Sequence, residues 1–224
     1  MERHHFEEEL QSLKNRLLTM GALVEERVHQ AVRALIDRQL EEAEQVIRSD
    51  QDVNTLQIEI DDRCLKLLAL QQPIATDLRL ITAAMKINAD LERIGDQAVN
   101  VAENVIKLLP QAPLKPLIDI PRMAELAEKM TRDALDAFVR KDPELARNVL
   151  QRDDEVDNLK DQVFRELLTY MMADPGTIQR ALALILISRN LERIADHATN
   201  IAEDVIFLVE AKDVRHHHQE EQPK

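Results

Sequence analysis

Residues 90–109, DLERIGDQAVNVAENVIKLL, recur one hundred positions later as NLERIADHATNIAEDVIFLV, residues 190–209. A segment of twenty residues written twice in a chain of 224 implies a duplicated fold. The repeat reaches further back. SDQDVNTL (49–56) aligns with RDDEVDNL (152–159), and QLEEAEQVI (39–47) with DPELARNVL (142–150). The offset changes from 103 to 100 near the second turn, so the halves differ there by three residues.

Within each copy the apolar spacing is that of a helix with a packed seam. Ala84, Ile87, Leu91, Ile94, Ala98, Val101, Val105 and Leu108 advance in steps of three and four, as do Leu184, Ile187, Leu191, Ile194, Ala198, Ile201, Val205 and Leu208. Such seams belong to antiparallel bundles with crossing angles near ~20°. Pro73, Pro143 and Pro175 stand between the long patterns, and LPQAPLKPLIDIP at the midpoint reads as a linker. The expected helices run roughly over 4–38, 40–70 and 76–109, then 120–140, 143–171 and 177–210. Thr76 and Thr177 suit N-caps, and Asp77 suits a first helical turn. The expected architecture is all-α, a tandem repeat of two three-helix bundles, residues 1–110 and 120–212. The tail, 213–224, ends in RHHHQEEQPK and reads as a disordered end with weak metal affinity at most.

Composition excludes several functions. A formal charge of −13 argues against nucleic-acid binding, which needs a basic face, and aromatics at 2 % supply no stacking platform. The longest apolar run, ALALILI at 181–187, is far too short to span a bilayer, and MERHHFEEEL lacks the apolar stretch of a signal peptide. The lone Cys64 cannot form an intrachain disulfide, so a cytosolic address is the default, and it reads as a core residue rather than a nucleophile. His29 reads as a boundary residue, and the methionines, Met171 and Met172 included, as core filler.

The chemistry-bearing residues are carboxylates. Folding the second and third helices of the first half as a hairpin about Pro73 brings Asp50 and Asn54 opposite Asp96 and Glu92. Counting from the turn at Asp174–Pro175 sets Asp153 and Asp157 against Asp196 and Glu192. Each set lies along an edge of the apolar stripe, near the surface. Two carboxylates about 6 Å apart repel by roughly 3 kcal/mol at an effective dielectric of 20. A multivalent cation removes that repulsion. All-oxygen ligation suits magnesium, manganese or iron, and His197 beside Asp196 would add a nitrogen for zinc. The plainer alternative is a solvated acidic face neutralised by Arg93, Arg189 or Arg193. A ferritin-like oxidase site is disfavoured, because Glu26-x-x-His29 is matched in the repeat by Lys129-x-x-Arg132. Hydrolysis is disfavoured too, since neither a nucleophile–base pair nor a phosphate-cradling glycine loop is present.

QPIATDLRLI followed by INADLERIGDQAVNVAE, and later SRNLERIADHATNIAE, resemble the PhoU family of phosphate-signalling regulators over essentially the whole chain. The resemblance implies two similar three-helix bundles and metal ions, multinuclear iron among them, held by paired E/D-x-x-x-D motifs. Those motifs fall on Glu92 and Asp96, Glu192 and Asp196, and Asp153 and Asp157. Asp50 is paired with Asn54, an amide in place of a carboxylate, so charge count makes the second site the tighter one. Asp77 in A-T-D-L-R matches the family motif; its counterpart DPGTIQR does not. The resemblance further implies a non-enzymatic negative regulator of the phosphate-starvation response and of phosphate uptake. Such proteins work between the phosphate ABC transporter and a sensor histidine kinase, at the cytoplasmic face of the inner membrane and associated with it only through partners. A homodimer is expected.

Overall fold

The computed structural model describes residues 2–214, the side chains of residues 2, 3 and 71 aside; the histidine-rich tail from residue 215 onward lies outside the described residues. Among the described residues there are seven α-helices and one 3-10 turn. The helices are α1 (Glu2–Asp37), α2 (Leu40–Arg48), α3 (Asp50–Gln71), α4 (Ala75–Leu108), α5 (Asp119–Arg140), α6 (Pro143–Ala173) and α7 (Ile178–Glu210), and the 3-10 turn is Pro175–Thr177. The first half bundles α1, α2–α3 and α4; the second bundles α5, α6 and α7.

The expected helix over 40–70 is in fact two helices, broken at Ser49. Ser49 Oγ donates to Val46 O at 3.0 Å, a back-bonding contact that bends helices. The turn then tightens, with Asp52 N–H donating to Ser49 O at 3.1 Å. Arg27 of α1 is 1 % exposed and donates through Nη2 to the same Ser49 carbonyl. The break therefore presents a carbonyl to a buried guanidinium.

Helix ends follow local chemistry elsewhere. Asp142 caps α6 by accepting from Glu144 N–H and Leu145 N–H, both at 3.0 Å, with Pro143 at the first helical position. Thr76 is not a cap: α4 begins one residue earlier, after Ile74 in extended conformation, and Asp77 lies in its first turn. Thr177 does stand before α7, but its hydroxyl turns back to donate to Tyr170 O and Asp174 O, at 3.1 and 2.7 Å. Met172 is not core either. It is 78 % exposed in the last turn of α6.

α4 and α7 run antiparallel through the middle of the molecule, and each is packed by the other helices of its own half. The alternating seams read from the sequence, Ala84 to Leu108 and Leu184 to Leu208, are buried along their whole length. Residues of both halves form one continuous apolar core, so the two bundles share their interior rather than merely touching. α1 and α5 add a second contact between halves. A Cβ on Gly21 would lie 2.1 Å from Leu135 Cδ1, so glycine there allows that side chain of α5 to nestle against α1. The linker crosses one end as a strap, held by Arg38, which donates to Leu109 O and Gln111 O at 2.7 and 2.6 Å, and by Arg180, which donates to Ala112 O at 3.1 Å.

Candidate metal centre

The carboxylates named from the sequence occupy the two hairpins, α3–α4 and α6–α7, on half-buried or exposed positions beside the buried seam. In the first half Asn54 donates its amide to Asp50 Oδ2 at 2.9 Å, which uses the amide to hold its neighbour rather than to leave it free. Burial and the nearby Asp96 raise Glu92 above the usual carboxylate range, with Asp50 adding to the shift and Arg93 opposing it. Burial and Asp50 likewise raise Asp96. α3 and α4 thus bring Asp50, Glu92 and Asp96 within reach of one another's charge.

The second half repeats the arrangement with more acid. Burial pushes Asp153 up to about 6, helped by Asp196, Asp157, Asp154 and Glu192. Asp196 is raised by burial and then by Glu192 and Asp157, against the pull of His197 and Lys160. Lys160 is a residue that sequence reasoning passed over. Its Nζ donates to Asp157 Oδ1 at 3.0 Å and to Glu192 Oε1 at 3.1 Å, and so bridges α6 and α7. Those bonds raise its pKa even though burial alone would lower it. The signal was available: Lys160 lies one helical turn after Asp157 and on the same face.

His197 does not turn into this cluster. Its Nδ1 lies 2.9 Å from Asp90 Oδ1 across the α4–α7 seam, and Asn200 donates to the same oxygen at 3.3 Å. The zinc role envisaged for His197 therefore has a competitor in Asp90. Nearby, Lys86 donates to Asp204 Oδ1 at 2.8 Å, a second polar link across the seam. Asp77 stands apart from both clusters, in the first turn of α4. His29 pairs with Glu128 at 3.6 Å, between α1 and α5. Cys64 is fully buried and its thiol is pushed up to about 12, by burial first and Asp61 second, which leaves it inert.

Donor chemistry in both hairpins fits a hard cation: oxygen ligands, partly desolvated and repelling one another. Geometry supplies no ready cage. Among the described residues, no group of three or more His, Cys, Asp or Glu side chains stands in an arrangement that could hold a metal ion. Closure around an ion would need new rotamers, and in the second half it would need Lys160 to move. Among the described residues no helix is long and apolar enough to cross a membrane.

The sequence pattern of the PhoU domain matches this chain twice, at residues 17–105 and 120–205, one match for each bundle. A Pseudomonas aeruginosa protein described as a phosphate-specific transport system accessory protein PhoU homolog is 45 % identical over 218 residues, covering 95 % of this chain and 90 % of that protein. The Escherichia coli K12 protein of the corresponding description, PhoU, is 35 % identical and covers 94 % of this chain and 88 % of its own length. The crystal structure of PhoU from Pseudomonas aeruginosa superposes with a TM-score of 0.89, covering 92 % of this chain and all of that one at 45 % identity. That of the phosphate transport system regulatory protein PhoU from Streptococcus pneumoniae gives 0.87 at 31 % identity, covering 93 % and 99 %. With two domain matches, full-length identity and a common all-α fold, the chain belongs to the PhoU family.

Proposed function

We propose that this protein is a negative regulator of the phosphate-starvation response and of phosphate uptake, acting in the cytoplasm as an adaptor between a phosphate ABC transporter and a sensor histidine kinase. The observation that carries the reading is the 45 % identity, over 95 % of the chain, to a protein described as an accessory of the phosphate-specific transport system. The fold supports an adaptor rather than a catalyst. Its polar groups lie on helix faces and edges, and the one cysteine is buried. Deleting the gene is expected to switch on alkaline phosphatase in phosphate-rich medium. Phosphatase that stays silent in the deletion strain would defeat the proposal. Pull-down from membranes with and without phosphate identifies the transporter and kinase components that the adaptor holds, and sedimentation of the purified chain tests the homodimer.

The same proposal includes metal ions. Asp50, Asn54, Glu92 and Asp96 would hold one, and Asp153, Asp157, Glu192 and Asp196 another. A bound cation supplies positive charge to faces that otherwise repel themselves, and so sets the hairpin surface offered to a partner. Iron, manganese, magnesium and zinc are the candidates by ligand type. The supporting observation is the upward push that burial and mutual repulsion exert on Glu92, Asp96, Asp153 and Asp196. Metal content of untagged protein, measured against the Glu92→Ala/Asp96→Ala and Glu192→Ala/Asp196→Ala variants, decides between this reading and a metal-free acidic adaptor.

A further inference from the structure

We infer that the outer face of the α6–α7 hairpin docks a helix of a partner protein, one with an apolar stripe at one end and lysine or arginine at the other. The inference rests on the adaptor reading above and adds to it a surface and the kind of segment that fits.

Six large apolar side chains stand in water along this hairpin. On α6 they are Phe164, Leu168 and Met172, and on α7 Ile178, Leu182 and Leu186, between 41 and 78 % exposed. Each set advances in steps of four, so each forms one stripe along its helix. The two stripes share a side of the hairpin. Lys160 Nζ donates to Asp157 of α6 at 3.0 Å and to Glu192 of α7 at 3.1 Å, so those two faces meet there. Phe164 lies seven residues from Asp157 on the same line of α6; the half-buried Ile185 lies seven from Glu192 on α7, and Ile178 seven further on.

The repeat shows that the bundle does not require this patch. At the corresponding places the first half has Asp61, Leu65, Ala69, Leu78, Thr82 and Lys86. Leu65 and Leu78 are exposed, as is Ile58 elsewhere on α3, but Asp61, Thr82 and Lys86 interrupt the apolar surface. A contiguous apolar patch that one half exposes and the other does not marks an interaction surface.

Charge and size choose the occupant. Away from the hairpin tip the face turns acidic, with Asp153, Asp157, Asp161, Glu192 and Asp196 against Lys160, Arg189 and Arg193. A segment with cations at that end is complementary; an anionic phospholipid surface is not, the more so for a chain of formal charge −13. A second copy fits no better. Laid parallel, two such faces set carboxylate on carboxylate; laid antiparallel, they bury carboxylates against leucine and phenylalanine. From Asp157 to Met172 the face is about 22 Å long, four turns of one helix, and falls well short of the roughly 20–30 residues a side of a stable dimer. Two antiparallel helices offer a groove in which a third packs through anchors at helical spacing. The apolar anchors act with or without a metal ion on the carboxylates.

The test is photo-cross-linking in intact cells. A benzophenone side chain is placed at position 182 of the full-length chain, with position 82, its repeat counterpart, as the control, and the adducts are sequenced by mass spectrometry. Position 182 is expected to join a segment of another protein with apolar residues at helical spacing and lysines or arginines in the adjoining turns, and position 82 to give about tenfold less adduct. A synthetic peptide of that segment is expected to bind the purified chain about tenfold or more weakly after Phe164→Glu or Leu182→Glu. Unfolding midpoints should stay unchanged, because both side chains are about half exposed. An adduct to a second copy of this chain, to phospholipid or to a segment without basic residues overturns the inference, as does equal yield at the two positions or no adduct at all. If transporter or kinase components are still recovered by pull-down in those cases, the adaptor reading stands without this surface. If deleting the gene leaves phosphatase silent, the adaptor reading falls and takes the inference with it.

Discussion

At Ser49 the helical path of the first half breaks into α2 and α3, whereas at Arg152, its counterpart in the repeat, α6 runs on without interruption. The residue facing the break explains the difference. Arg27 is buried under it and bonds the freed carbonyl, while the repeat places Met130, fully buried and apolar, at the same position of α5. Burial lowers the pKa of Arg27, and Asp50 and Asp52 pull it back up. Its Nε and Nη1 atoms have no hydrogen-bond partner among the described residues. One half thus keeps a buried charge and bends its helix to accommodate it. The other fills the space with a thioether and keeps the helix unbroken. The same sequence template tolerates both solutions because the remaining seam positions, such as Val24 and Ala127 or Ala31 and Ala134, stay apolar in each.

Arg27 offers the largest effect by which to break that comparison. Arg27→Ala leaves a cavity and removes one of the two donors to Ser49 O, Asp52 N–H being the other, and is expected to cost about 3 kcal/mol in denaturant unfolding. Arg27→Met, which copies the second half, is expected to cost about 1 kcal/mol or less, because an apolar side chain of similar length needs no partner. Equal losses in the two variants would show that the guanidinium itself, and not the volume it fills, holds the break, so that the first half cannot accept the second half's solution.

The seam between α4 and α7 gives the next test. Lys86 faces Asp204 there, while the repeat counterparts of these two residues are Leu186 and Asn104. Lys86→Leu alone removes the cation facing a carboxylate that is 9 % exposed, and should destabilise by about 2 kcal/mol. Lys86→Leu/Asp204→Asn reproduces the opposite arrangement and should recover about 1 kcal/mol of that loss, a coupling measurable in a double-mutant cycle. Purely additive losses would mean the pair contributes no coupling.

A smaller effect concerns pH. Asp153 titrates at about 6 in the folded chain, above the value of about 3.9 expected when it is unfolded. The folded state then holds this proton more tightly. The stability that the proton confers is complete below the unfolded value and is lost as pH rises through about 6. With metals removed by a chelator, Asp153→Asn should stabilise the protein by roughly 1 kcal/mol at pH 7.5, after allowance for screening, and leave it unchanged at pH 4. A gain at pH 4 as large as that at pH 7.5 would contradict this origin. The smallest change expected is at Cys64, whose repeat counterpart is the buried Leu167. Cys64→Val should shift stability by under about 0.5 kcal/mol, and the native thiol should resist labelling until the protein unfolds.

Much of the architecture could be read directly from the residues, since long 3–4 spacing and proline punctuation both report local physics. Hairpin counting also set Asp50 against Glu92 and Asp96, and Asp153 and Asp157 against Glu192 and Asp196, close enough to act on one another's charge, because two helices joined by a short turn keep a nearly fixed register. What escaped depended on contacts between distant segments. Ser49–Asp50 reads equally as helix interior or helix start until Arg27 arrives from another helix. His197 looks like a ligand beside Asp196 until packing of α4 on α7 brings Asp90 to it. Lys160 was visible one turn from Asp157, but its reach to Glu192 is a matter of rotamer. Met172 is apolar enough for the core, yet it lies exposed in the last turn of α6, and which face of that turn meets water depends on how the helices pack.

The seam of α4 on α7 has a consequence for how such a chain can diversify. Were the two halves separate identical molecules related by a two-fold axis, every contact across this seam would occur twice. A lysine facing an aspartate on one side of the axis would oblige the same pair on the other. Covalent joining lifts that obligation, and the molecule uses the freedom: Lys86 meets Asp204, and His197 and Asn200 meet Asp90, while the related positions hold Leu186 and Asn104, and Gln97, Asn100 and Asn190. Each side of the axis can therefore accumulate its own substitutions, and a partner that binds one face need not find its copy on the other.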